Sequence, residues 1–526
     1  VLAYTRDLSW KDHVIYYEEL SKITKEDLVA FANKHYKENY AVVYKRTGKD
    51  PNIQKVEKPQ ITKVPLNRED RSELHVKLAN QETVKLQPKF LDYKTDLEFF
   101  NIGPLEVIYK ENTDNDLFEM TYHFNYGKNQ DPKIELAASL MNYVGAGNLS
   151  PEELKTEFYK LGAGYNFSTS TDGEETQITL SGLSENMEAS IKLFESLLEN
   201  PVGTQDALDK LVGRILKSRS DAKKNKNLIL SRQLFAYGKY GEVNPASNVL
   251  TSEELMKVNV ADLTDRIKEL TKKQHRILFY GNQDEKTLTN LVNTYHKIPE
   301  SLKEVSDAQT YSEKNYDKEY VFWTHFDIVQ TEIILLSKQE LLDNAKTAAI
   351  RLFNQYFGGG MNSIVFQEIR EAQGLAYSVY SAYRQGNKPD RSDYLLSYIG
   401  IQSDKQKEAL SSMFNLINNL PESPQAFEIG KQAILNKIES ERITKAGVLY
   451  NYLSAEKRGI DYDIREKVYN EVKAMDLEKL IEFHETYIKD KPHTILLIGN
   501  RDNIDLKNLE QYGTVKELSL ETLFGF

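Results

Sequence analysis

Cysteine is missing from all 526 residues. Its absence excludes disulfide bridges, thiolate metal sites and cysteine nucleophiles. It excludes no compartment, because a large core needs no disulfides. Long apolar runs are also missing. Stretches such as 333–336 and 495–498 have the length of buried strands, not of membrane spans. A basic surplus is lacking too: 68 Lys and Arg stand against 79 Asp and Glu, a net charge of −11. That balance argues against nucleic acid or an anionic membrane as the main partner. No signal-peptide pattern is present and the first residue is Val1, so the chain reads as processed, nicked or partial, with any targeting signal upstream.

What is present is the composition of a globular protein, 40% hydrophobic and 28% charged, with a length that predicts two to four domains. Internal repetition organises it. Segments beginning at Ile23, Val258 and Ala474 each pair an acidic-capped helix with an apolar strand, and the last two continue into Gly-Asn-x-Asp at Gly281 and Gly499. A segment from Leu197 matches one from Leu416. A third repeat sets YVGAGNLSPEELKTEFYKLGAGYNFSTS, from Tyr143, beside YFGGGMNSIVFQEIREAQGLAYSVYSAY, from Tyr356. Two complete units follow, 96–305 and 306–526. Residues 1–50 read as the closing helix and strand of a preceding unit. Residues 51–95, rich in Lys, Glu, Gln and Pro, read as an extended linker. Phe118, Met120, Tyr122, Phe124 and Tyr126 alternate at period two, and Ser150 and Thr251 open capping boxes. Each unit runs strands, helices, then a final helix and strand. The expected class is α+β, with mostly antiparallel sheets packed against helices.

The richest segment is 358–383. Gly358, Gly359 and Gly360 permit a tight turn, and Asn362 or Ser363 can cap the helix that follows. Val365 and Ile369 form its apolar ridge, with Arg370 at the border, and Gly374 suits a left-handed stop. Leu375, Tyr377 and Val379 are then expected on one strand face, bringing Tyr377 back near Arg370. Two readings are open from these residues alone. Arg370 can simply answer the helix dipole and Tyr377 pack as a half-buried strand aromatic. Alternatively, a forked guanidinium and a phenol O–H are the donors needed to hold peptide carbonyls and a tetrahedral oxyanion. The glycine triplet is not a phosphate loop, since no Lys-Ser/Thr follows it.

This segment resembles the Arg/Tyr signature in the second half of M16 (pitrilysin-type, inverzincin) zinc peptidases, and the resemblance covers almost the whole chain. It implies tandem M16-type domains. Arg370 and Tyr377 would be catalytic and substrate-holding, and Gly358, Gly359 and Gly360 substrate-binding. Family members carry His-x-x-Glu-His in their first domain, where two His and a Glu bind zinc and the inner Glu activates water. None of the nine histidines here makes that motif. If Gly145 anchors the comparison, Leu136, Ser139 and Leu140 occupy the ligand and base positions. His484-Glu485 is the one adjacent pair, with Ile488 where a zincin needs His.

The resemblance therefore implies the C-terminal half of a zinc metalloendopeptidase acting on unfolded peptides in a closed clam-shell chamber. Zinc would be bound by a missing N-terminal half, from the same precursor or another chain, and none by this chain. Alone, the chain is expected to be inactive. The alternatives are a non-catalytic M16-like scaffold and a peptide-binding subunit. A periplasmic or envelope location is expected.

Overall fold

The computed structural model describes residues 2–46, 48, 70, 72–81, 86–316 and 319–526, in two units, 1–60 and 61–526. In the first unit, Thr24 and Asp27 form a reciprocal capping box that opens the helix Lys25–His35. Its apolar residues are exposed, Leu28 and Phe31 among them. Residues 40–46 pair with no strand among the described residues, unlike the other two copies of this repeat. A strand needs a neighbour to satisfy its backbone, and none flanks it here. The linker positions 51–69, 71 and 82–85 lie outside the described residues. The last part of that stretch is packed: Leu91 donates its N–H to Asp463 (3.0 Å), and Tyr93 is buried with its hydroxyl on Asn451 Oδ1 (2.6 Å).

The second unit is built on two six-stranded sheets. The first uses β1 (Glu98–Ile102), β2 (Leu105–Glu111), β3 (Leu117–Phe124), β4 (Gly164–Thr169), β5 (Thr176–Leu183) and β6 (Arg276–Gly281), in the order β1-β2-β6-β3-β5-β4. The second uses β7 (Tyr320–His325), β8 (Gln330–Leu341), β9 (Ala376–Arg384), β10 (Ser392–Gln402), β11 (Thr494–Gly499) and β12 (Thr514–Glu517), in the order β9-β10-β8-β11-β7-β12. Five strands correspond one to one: β4-β5-β3-β6-β2 matches β9-β10-β8-β11-β7 in order and in direction. In both sets only the last pairing, β6 with β2 and β11 with β7, is parallel. The repeated sequences thus fold into repeated sheets, mixed α/β and largely antiparallel.

Each sheet buries one face against its own helices. Phe118, Met120, Tyr122 and Phe124 are essentially inaccessible, as the alternation predicts. The other face of each sheet is covered by a helix lent by the opposite domain. Ile229, Leu230, Leu234 and Tyr237 pack on Phe322, Ile334, Leu336 and Leu496 of the second sheet. Val448, Leu449 and Ala455, from the helix Gly447–Lys457, pack on Ile108, Leu278 and Tyr280 of the first. Gly238 allows the close approach, since a Cβ there would sit 2.7 Å from Leu496. Fully burying each such Leu, Ile or Phe stabilises by about 1.5–3 kcal/mol, so the exchange binds the two domains together. Ion pairs add to it. Lys457 meets Asp172 (3.2 Å), Glu174 (3.3 Å) and Glu175 (2.9 Å), and Arg276 meets Glu456 (2.6 Å). Lys226 pairs with the buried Glu332.

Candidate functional site

The helix Thr347–Phe357 buries Phe353, Tyr356 and Phe357 and ends on Gly358. The chain there touches strand β9. A Cβ on Gly358 would lie 2.2 Å from the Ser381 carbonyl oxygen and 2.5 Å from its nitrogen. Gly358 adopts φ −142°, open to any residue, so the glycine is required for space and not for conformation. Gly359 is similarly tight, 2.6 Å from Asn354 O, whereas Gly360 is open. Ser381 donates its N–H to Gly358 O (3.4 Å). Asn354 grips both backbone groups of Tyr383, donating to its carbonyl (2.9 Å) and accepting from its N–H (2.6 Å).

Strand β9 is the outer strand of its sheet. Backbone groups of alternate residues face the same side, so 381 and 383, held by the helix end, share that side with Val379. Among the described residues no strand flanks β9 there. The edge is closed at 381–383 and open toward 376–379.

The following helix departs from the simple picture. Its last turns, Phe366–Ala372, are widened to the π form, a feature frequent at functional sites. Ser363 Oγ donates back to Gly360 O (2.6 Å) instead of capping the helix. The C-terminus is closed by a pair of bonds one residue wider than a Schellman motif, as the π form requires: Leu375 N–H reaches Ile369 O (3.0 Å), Gly374 N–H reaches Arg370 O (3.2 Å), and Gly374 takes φ +59°. Ile369 and Val365 are buried, and Arg370 is held at the border with 39% of its side chain exposed.

One expectation fails. Tyr377 does not share a face with Leu375 and Val379, which are buried, but is 77% exposed. The pairing with β10 shifts register between Ala376 and Ser378, so Tyr377 is the extra residue of a β-bulge. The bulge turns its phenol outward. Its proximity to Arg370 survives: the guanidinium carbon lies 4.6 Å from the Phe366 ring and 5.9 Å from the Tyr377 ring. The nearest carboxylate, Glu371, is 3.7 Å from Arg370 Nε, beyond a good hydrogen bond. Among the described residues neither donor is taken. A guanidinium and a phenol therefore stand beside an open strand edge, suited to the carbonyls of an added strand.

The first domain carries the same frame without the chemistry. Gly162 has φ +60°, and Phe158 and Tyr165 stand to it as Arg370 and Tyr377 stand to Gly374. There the strand has no register shift, and the two rings pack against each other at 4.8 Å. Aligning the repeats on their left-handed glycines finds this pair; aligning them on Tyr143 and Tyr356 misses it. On the helix Ile134–Leu140, Leu136 and Leu140 are buried, and Ser139 donates to Glu135 O (2.8 Å). No group of three metal-ligating side chains occurs among the described residues. His484 is buried on Ile417 O (2.6 Å), and burial lowers its pKa, so it is a packed neutral imidazole. No helix among the described residues is long and apolar enough to cross a membrane.

Comparison with known proteins bears on the fold and the family. Residues 257–433 match the family described as "Peptidase M16 inactive domain". The chain is 23% identical over 423 residues to the "Non-peptidase homolog YmxG" of Helicobacter pylori, covering 76% of this chain and 93% of that protein. It is 23% identical over 266 residues to an "Uncharacterized zinc protease" of Rickettsia felis, covering 49% of this chain and 61% of that protein. Among solved structures, a peptidase M16 inactive domain from Pseudomonas fluorescens superposes with TM-score 0.62 at 16% identity, covering 77% of this chain and 98% of that one. The periplasmic protease PqqL of Escherichia coli superposes with TM-score 0.61 at 13% identity over 91% of this chain, which spans 51% of PqqL. Over residues 257–433 the sequence matches the M16 inactive-domain family, and the fold over most of the chain is that of solved M16 chains.

Proposed function

We propose that this chain is the substrate-holding half of an M16-type zinc metalloendopeptidase acting on unfolded peptides. The observation that carries the reading is the open edge of β9 with Tyr377 and Arg370 exposed beside it. A scaffold strand has no use for a bulge that lifts a phenol out of the core. In this reading a peptide adds as a strand at 376–379 and stops where Asn354 and Gly358 close the edge. The Tyr377 phenol donates to the carbonyl next to the scissile bond and, as the tetrahedral centre forms, to its oxyanion. Arg370, stiffened by the Phe366 ring, holds a neighbouring carbonyl.

Zinc and the water-activating Glu would come from an N-terminal half, in keeping with a chain that spans half of PqqL. Residues 1–50 would be the end of that half's second domain. Closure of the halves around the peptide would form the chamber, and a periplasmic or envelope location would match PqqL. The experiment is peptidase activity on an unstructured fluorogenic peptide, with and without a zinc-bearing N-terminal half. Activity and zinc only in the joined protein support the reading.

A second reading, a peptide-binding subunit without hydrolysis, is favoured by one observation, the non-peptidase name of the Helicobacter relative. It predicts peptide binding that depends on Arg370 and Tyr377, with no cleavage in any combination.

A further inference from the structure

Beside the helix Ile134–Leu140, the first domain has a cavity of about 320 Å³. The helix Ile134–Leu140 forms one wall through Leu136 and Ser139, and the helix Gln205–Ala222 forms another through Ile215 and Arg219. Leu250 and the rings of Phe524 and Phe526 complete an apolar side. Three cations, Lys128, Arg219 and Arg232, line the same space against a single acidic side chain, Glu135.

Those charges are poorly answered. Lys128 is 6% exposed and donates to Pro245 O (2.8 Å), with no carboxylate within 4 Å among the described residues. Arg219 lies over the Phe526 ring at 4.5 Å, and its Nη1 is buried without a hydrogen-bond partner. Gln233, 6% exposed, points a carbonyl oxygen, Oε1, that likewise has none. A buried guanidinium nitrogen and a buried acceptor left unmatched are costly unless something meets them. Burial lowers the pKa of both Lys128 and Arg219, the direction expected for cations short of counter-charge.

We propose that this cavity binds the C-terminal residue of a short peptide. The α-carboxylate would meet Arg219 and Lys128, the preceding amide N–H would donate to Gln233 Oε1 after a rotation of that side chain into the cavity, and an aliphatic side chain would lie against Leu136, Ile215 and Leu250. The pairing of an anion with an adjacent N–H donor and an apolar group distinguishes this ligand from a bare anion. Phosphate would satisfy the cations and leave the apolar wall unused. The site shares no residue with the β9 edge, so it stands or falls separately from the peptidase reading.

The test is calorimetric titration of the full chain with N-acetyl-Ala-Leu, with its C-terminal amide and with inorganic phosphate. The acid is expected to bind at least tenfold more tightly than the amide. Arg219→Met should weaken the acid at least tenfold, and Gln233→Met about threefold or more. Ser139→Trp, which fills the cavity from a half-buried position, should abolish binding and decides the matter if Arg219→Met fails to fold. Equal binding of acid and amide overturns the proposal. So does phosphate binding as tightly as the acid, unchanged affinity in Ser139→Trp, or no binding of the acid at millimolar concentration.

Discussion

Replacing the three glycines one at a time by alanine separates two roles, shaping the β9 edge and merely turning the chain. In Gly358→Ala the new Cβ meets Ser381 O at 2.2 Å and N at 2.5 Å, both backbone atoms that cannot rotate away. Restoring contact at about 3.5 Å requires the helix end and strand to part by roughly 1 Å. The φ of −142° is open to alanine, so the cost is steric alone. Overpacking of this kind costs about 1–3 kcal/mol. Gly359→Ala meets Asn354 O at 2.6 Å and should cost a similar amount. Gly360→Ala meets only the flexible end of Gln355 at 3.9 Å and should change stability by less than about 0.5 kcal/mol. Urea unfolding of the full chain reads all three. Because Ser381 and Tyr383 are held by the same helix end, Gly358→Ala should also weaken peptide binding at β9 more than Gly360→Ala does. Equal stability of the Gly358 and Gly360 variants would refute the close contact and the closed upper edge built on it.

Two further predictions concern buried charge. Asp393 is buried, and desolvation raises its pKa to about 6 although its Oδ1 accepts the Gly386 N–H (2.8 Å). Between about pH 4 and 6 the folded state holds a proton that the unfolded state has lost, so stability falls as pH rises through that window. Asp393→Asn keeps the acceptor and should stabilise by on the order of 2 kcal/mol at pH 7 and little at pH 4, read from paired melting curves. The Lys457 cluster runs the other way. The His123 hydrogen bond, with Lys457, depresses the Glu175 pKa to about 2, so that contribution is complete above pH 4.5 and is lost as pH falls toward 2. Lys457→Met leaves Asp172, Glu174 and Glu175 without their shared cation and should cost about 2–3 kcal/mol at pH 7, less at pH 3.

Much of this molecule is legible in its sequence because its signals are local. The alternation through Phe118–Phe124, the capping boxes at Ser150 and Thr251, and the stop at Gly374 each depend on a few neighbours, and each recurs in the structure. The absence of a His-x-x-Glu-His motif needed only a reading of the letters. What escaped depends on partners far along the chain. The bulge at Tyr377 arises from its register against β10, where Ala376 pairs with Ile401 and Ser378 with Gly400. No periodicity within 375–379 reveals that an outward tyrosine replaces an inward one. The exchange of helices between sheets joins residues more than 200 positions apart, as in Gly238 and Leu496. The pairing of Lys226 with Glu332 joins residues 106 positions apart, so no local pattern announces it. The cationic cavity draws on the helices Ile134–Leu140 and Gln205–Ala222 together with Phe524 and Phe526, which only the folded chain brings together.

The most direct test of the central claim is peptide turnover by this chain joined to a zinc-bearing N-terminal half, comparing the original with Tyr377→Phe. The ring is 77% exposed, so the substitution should leave folding intact. Loss of one oxyanion donor should lower kcat by on the order of tenfold or more with zinc content unchanged. Unchanged kcat in Tyr377→Phe, or no turnover by the joined original protein, would contradict the account.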